Sequence, residues 1–137
     1  MSLEGMAGIS RWAEEVSMKA PSQADLARLL GPPSHLPATA AERKAVPLAR
    51  GLLDYFPDAL VEVARLSQVG SDKHNPGEPL HWSRDKSSDH ADCIMRHLID
   101  RGTTDPEDGF LHDVKVAWRA LALLQVALER ARAEGQH

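Results

Sequence analysis

The chain has 137 residues, 42% of them apolar and 26% charged, the proportions of one ordinary globular domain with a single core. Its formal charge of -4 has the wrong sign for holding nucleic acid by counterion release, so no stable nucleic-acid partner is expected. The longest apolar runs, such as Ala120 to Leu124, fall far short of the roughly 18 residues a membrane span needs, and no membrane partner is expected.

Met1 to Arg11 lacks a basic start followed by an apolar stretch, so a cytoplasmic location is expected. The single cysteine, Cys93, cannot form an internal disulfide and agrees with a reducing compartment, where it would serve as a small buried residue. Residues 1–50 carry six basic and five acidic side chains, and residues 51–137 carry ten and fifteen. The second part also holds six of the seven histidines, five of them between His74 and His112.

In chain order, residues 1–38 read as an N-terminal arm with one short amphipathic helix, Pro21 to Gly31, capped by Ser22 and stopped by Gly31 before Pro32 and Pro33. That run resembles the first helix of a helix-turn-helix, but prolines stand where a recognition helix would follow. Residues 39–134 form the main domain. Asp54-Tyr-Phe-Pro-Asp58 predicts a helix start with Pro57 in the first turn, and Gly70 predicts its end after about three turns. Ser71 to Lys86 then reads as a loop, long enough to suggest a functional one.

Ser87-Ser88-Asp89 predicts the cap of a further helix that leaves at Arg101-Gly102. The run from Leu111 to about Ala133 has neither Pro nor Gly and predicts the longest helix, with Gly135 beyond it and residues 135–137 frayed. No strand periodicity, repeat or Gly-rich phosphate motif is present. The fold class is all-α, a compact helical bundle with a short N-terminal helical arm.

At about 100° per residue the helix from Asp89 places Ala91, Ile94, Met95 and Leu98 on one face, which predicts its buried side. Asp89, Asp92, Arg96 and Asp100 fall opposite, with His90 and His97 along the flank. A solvated acidic face is the plain explanation of that pattern. Carboxylates at i and i+3 repel unless a cation lies between them, which favours a functional one. Glu62, in the helix after Pro57, either pairs with Arg65 or faces Asp89 and Asp92 across a seam. In the second arrangement the three carboxylates would suit Mg²⁺ or Mn²⁺.

Lys73, His74, Asn75, Trp82, Arg84 and Lys86 offer phosphate donors and an aromatic face for a base, or else a polar surface loop. His112-Asp113 invites comparison with HD-type phosphohydrolases, but no later Asp follows Asp113. His112 otherwise reads as a capping residue of the last helix. The zinc spacing His-Glu-x-x-His and a cysteine pair are absent, and spacing alone fixes no Ser-His-Asp or Cys-His arrangement.

These residues carry a resemblance. Ala41-Glu-Arg-Lys44, Leu53-Asp-Tyr-Phe-Pro-Asp58, Lys73-His-Asn-Pro-Gly77, Leu80-His-Trp82, Asp89-His-Ala-Asp-Cys93, Arg96-His-Leu98 and Ala117-Trp-Arg-Ala-Leu-Ala-Leu-Leu124 resemble the phage and prophage dATP/dGTP diphosphohydrolase domain family, over about residues 39 to 130. The resemblance implies hydrolysis of a purine deoxynucleoside triphosphate to the monophosphate and pyrophosphate. It also implies kinship with the MazG-like all-α nucleotide pyrophosphohydrolases, which form dimers or tetramers and hold Mg²⁺ through Glu-x-x-Glu and Glu-x-x-Asp helices. Here Asp58-x-x-x-Glu62 and Asp89-x-x-Asp92 stand at those places.

The expected mechanism has Mg²⁺ on Glu62, Asp89 and Asp92, with one of these carboxylates or His90 orienting a water toward the α-phosphorus. Lys73, Arg96 and Arg119 would stabilise the leaving pyrophosphate, His97 and His112 would transfer or relay protons, and His74, Asn75 and Trp82 would contact the purine. A homo-oligomer is expected, because Trp118 and many Leu and Ala side chains cover more than one face of the last helix. The alternatives are a non-catalytic nucleotide- or protein-binding module and a structural part of a phage particle.

Overall fold

The computed structural model describes residues 20–30 and 34–135. The first nineteen residues of the expected arm, the Gly31 stop with Pro32 and Pro33, and the last two residues of the expected frayed end lie outside the described residues. Five α-helices and no strand occur among the described residues, so the chain is all-α. None of these helices is long and apolar enough to cross a membrane.

The chain divides into two units, the first ending at Val46 and the second beginning at Pro47. The first contains α1, Gln23–Leu30, and α2, Ala40–Lys44. As expected, Ser22 starts α1. Its hydroxyl accepts from the Asp25 backbone N–H at 3.1 Å, and the Asp25 carboxylate accepts in return from the Ser22 N–H at 3.3 Å. The same reciprocal box opens α2 with Thr39 and Glu42, satisfying donors that the first helical turn otherwise leaves unpaired.

In the second unit a π-helical turn, Ala49–Leu53, leads to α3, Pro57–His74. Pro57 begins α3 as predicted, since its missing N–H is no loss in a first turn. The predicted stop at Gly70 is overturned: the helix runs one further turn, to His74. A helical glycine costs only about 1 kcal/mol. The added turn is held by the buried Ser71, whose carbonyl accepts from Asn75 N–H at 2.7 Å, and by the Lys86 ammonium, which donates to the His74 carbonyl at 2.9 Å. A cation on the last carbonyls also opposes the negative end of the helix dipole. The chain reverses only at Gly77, whose φ of +77° suits glycine.

The helix α4 spans His90–Ile99, and α5 spans His112–Gly135. Both α3 and α4 pack on α5, so α5 is the central element of this unit. The predicted buried face of α4 holds only in part. Ile94 and Leu98 are half-buried, but Ala91 and Met95 are exposed, and the buried residues of α4 are His90 and Cys93. The imidazoles turn inward because α5 offers them polar partners in Arg119 and His112.

Between α4 and α5 the loop turns at Gly102 and Gly109, both with φ near +80°, and closes on an isolated bridge between Thr104 and Leu111. Phe110 is its buried anchor.

Candidate functional site

The second half of α3, the loop before α4, the start of α4, the loop before α5 and the start of α5 surround a cavity of about 960 Å³. Its walls gather most of the residues expected to bind substrate: Lys73, His74, Asn75, Trp82 and Arg119. Of those expected to act in catalysis, His90 and His97 also line it. Lys86, one of the phosphate donors offered by the loop, lines it as well, as do Lys115 and Trp118, which were not expected there. Four full cations, Lys73, Lys86, Lys115 and Arg119, face two carboxylates, Glu107 and Asp108, which makes the cavity cationic in a chain of net negative charge.

Two indoles form one wall. Trp82 and Trp118 meet edge to face, with centroids 5.7 Å apart and planes at 75°, a favoured geometry for aromatic pairs. Trp118 is fixed by its indole N–H, which donates to Ser67 Oγ at 2.8 Å. Arg84 lies 4.2 Å over the Trp82 ring, and Glu129 on α5 accepts from it through both carboxylate oxygens at 2.7–3.0 Å. One face of Trp82 is therefore covered by a clamped guanidinium.

The cations differ in what holds them. Lys115 is enclosed, and its ammonium lies 2.6 Å from Asp105 and 2.7 Å from Asp108. Burial alone would lower the Lys115 pKa, but the hydrogen bonds to both carboxylates raise it. The Lys115 hydrogen bond is the main reason Asp105 falls to about 2. Asp108, which burial would push up, is likewise held low by Lys115. Lys73 is paired with Glu107 of the same loop. Lys86 donates to the His74 carbonyl and, at 2.9 Å, to Asn75 Oδ1. Arg119 Nη1 donates to Ser87 Oγ at 2.6 Å and to His90 Nδ1 at 3.2 Å.

His97 and His112 contact each other through Nδ1 atoms 2.9 Å apart, so one hydrogen serves both rings. Burial, then Lys115 and His112, lower the His97 pKa. His112 supports His97 from behind and is not itself a lining residue.

The carboxylates expected to hold a divalent cation are not brought together. Glu62 accepts from Arg65 on α3 at 2.8 Å. Asp89 precedes α4, where hydrogen bonds from Arg96 and then Ser87 lower its pKa to about 2. Asp92 is exposed. Among the described residues no group of three or more His, Cys, Asp or Glu side chains is placed to hold a metal ion. The three expected carboxylates therefore do not form one shared ligand set for Mg²⁺ or Mn²⁺ among the described residues. Arg96 is also absent from the cavity wall, because it donates to Asp89 at 3.1 Å and to Cys93 Sγ at 2.8 Å.

A helical domain with a cationic, tryptophan-walled cavity is the class that this fold and geometry define. Residues 37–136 match the family described as dATP/dGTP diphosphohydrolase, N-terminal, and the protein belongs to that family. No curated protein and no solved structure matches the chain.

Proposed function

We propose that the cavity binds a purine deoxynucleoside triphosphate and that the protein takes part in its hydrolysis to the monophosphate and pyrophosphate. The observation that carries this reading is the combination on one wall of paired indoles and, beside them, cations that outnumber the carboxylates two to one. A flat base fits the indoles, and phosphate oxygens fit the guanidinium and ammonium groups. The family description names the matching substrates.

In this reading water adds to the α-phosphorus, the α–β bridging P–O bond breaks and pyrophosphate leaves. His97, with its lowered pKa, is suited to accept the proton of the water. The reading includes a homo-oligomer, for which the exposed leucines of α5 supply a surface.

The test is a panel of the eight common ribo- and deoxynucleoside triphosphates incubated with Mg²⁺, Mn²⁺ or EDTA, with products resolved by anion exchange. Pyrophosphate and a purine monophosphate in equal amounts are the expected products. A specific observation also favours the non-catalytic binding module: Glu62 and Asp89 are already met by Arg65 and Arg96. Saturable dATP or dGTP binding without turnover under any condition would select that reading.

A further inference from the structure

Arg119 differs from the enclosed cation beside it. Lys115 is met by two carboxylates, whereas no carboxylate pairs with Arg119 among the described residues. Its charge sits on the half-buried start of α5, at the cavity wall. Only Nη1 is engaged, by Ser87 and His90. The Nε and Nη2 hydrogens form the edge of a guanidinium that matches two oxygens of a carboxylate or phosphate, and on Arg119 that edge meets no protein acceptor among the described residues.

His90 gives an independent indication. A guanidinium can only donate, so His90 Nδ1 accepts from Arg119 and the ring carries its hydrogen on Nε2. His90 is 6% exposed, and Nε2 is a buried polar atom with no hydrogen-bond partner. Buried donors without acceptors are rare and costly in folded chains. Both residues line the cavity, and each therefore has a donor group without an acceptor.

Ser87 sets their geometry. Its hydroxyl accepts from Arg119 and donates to Asp89 at 3.0 Å, and the charge of Asp89 is met by Arg96. The nearby carboxylate thus already has a cation of its own, and Arg119 lines the cavity.

We propose that Arg119 and His90 form the phosphoryl subsite of the cavity, with Arg119 donating through its Nε–Nη2 edge and His90 through Nε2–H to oxygens of one phosphoryl group. Lys73 and Lys115, engaged by the loop carboxylates, are secondary. This deepens the reading of the cavity as a nucleotide site, and a probe without a base tests it separately.

The probe is inorganic tripolyphosphate, titrated calorimetrically into the full chain in metal-free buffer of fixed ionic strength. Arg119→Gln is expected to weaken binding about tenfold or more, the scale of a lost charge-assisted bidentate contact. Arg119→Lys, which keeps the charge and loses the fork, is expected to recover only part of it. Lys73→Gln is expected to weaken binding less than threefold, because exposed paired lysines contribute little. In nitrogen-correlated NMR the His90 Nε2–H resonance is expected to move on saturation, a change that a merely structural His90 would not show.

If Arg119→Lys binds as the parent does, or Lys73→Gln loses as much as Arg119→Gln, the subsite assignment falls. A parent chain that does not bind tripolyphosphate overturns it as well. If binding depends on Arg119 while no nucleoside triphosphate is hydrolysed, the subsite stands and the hydrolase reading fails.

Discussion

The two halves of α5 are built on opposite plans. From Val114 to Arg119 every residue is at least half-buried, and the polar ones among them are directed at α4, at the loop before α5 and at the cavity. From Leu121 to Leu128 the buried position is the small Ala122, while Leu121, Leu124 and Leu128 remain 51%, 56% and 47% exposed. Hydropathy alone would have reversed that arrangement. The first half surrounds a polar cavity that it must line with donors, and the second presents apolar area with no partner within this unit. Burial in this chain thus follows the site in one half of α5 and an open surface in the other.

The comparison breaks most visibly at its midpoint. Trp118→Ala removes a large half-buried ring, its edge contact with Trp82 and the Ser67 hydrogen bond, and is expected to destabilise the fold by about 3 kcal/mol. Urea unfolding followed by circular dichroism checks it. Next is Lys115→Met, which leaves Asp105 and Asp108 facing one another without their cation. A loss of roughly 2 kcal/mol is expected, together with faster proteolysis of the loop before α5.

Acid should unfasten the same half first. The folded-state pKa of Asp105 is depressed from 3.8 to about 2, so its contribution is complete above 3.8 and is lost as pH falls toward 2. His97 is also shifted down from 6.5, so a milder decline is expected to begin as pH drops below 6.5. A series of thermal melts would show both stages. A midpoint that stays constant between pH 7 and 5 would contradict the His97 stage.

In the other half, replacing both Leu124 and Leu128 with Gln is expected to change monomer stability by less than about 0.5 kcal/mol each. The same pair is expected to lower the molar mass measured by light scattering if the chain self-associates there. A small effect is also expected from Arg84→Gln, which removes an exposed bidentate pair with Glu129; exposed pairs contribute little to stability, so its urea midpoint should stay close to that of the parent.

Most helix boundaries were legible because local chemistry sets them: Ser22 caps α1, Pro57 opens α3, and Gly102 follows α4 in a conformation suited to glycine. Gly70 misled because one glycine is a weak stop when Ser71 and Lys86 stabilise the next turn. The burial of His90 on α4, in place of Ala91 and Met95, was not legible. It depends on what α5 presents, and Met95 with Ile99 outweigh two histidines on any hydropathy pattern.

The site was legible where it lies in one dense segment, from Lys73 to Trp82, and in Arg119. It was not legible at Lys115, whose partners Asp105 and Asp108 lie across a loop and match no helical spacing. The expectation for Glu62, Asp89 and Asp92 rested on α3 and α4 facing each other, and both helices pack on α5 instead.

The paired indoles have a consequence for detection. Two of the three tryptophans, Trp82 and Trp118, stand 5.7 Å apart at a steep angle, close enough for their electronic transitions to couple. The folded chain is therefore expected to show an aromatic exciton couplet superimposed on its helical circular dichroism. A planar chromophore settling against either ring would alter the couplet's amplitude, so occupancy of the cavity can be followed optically without a label.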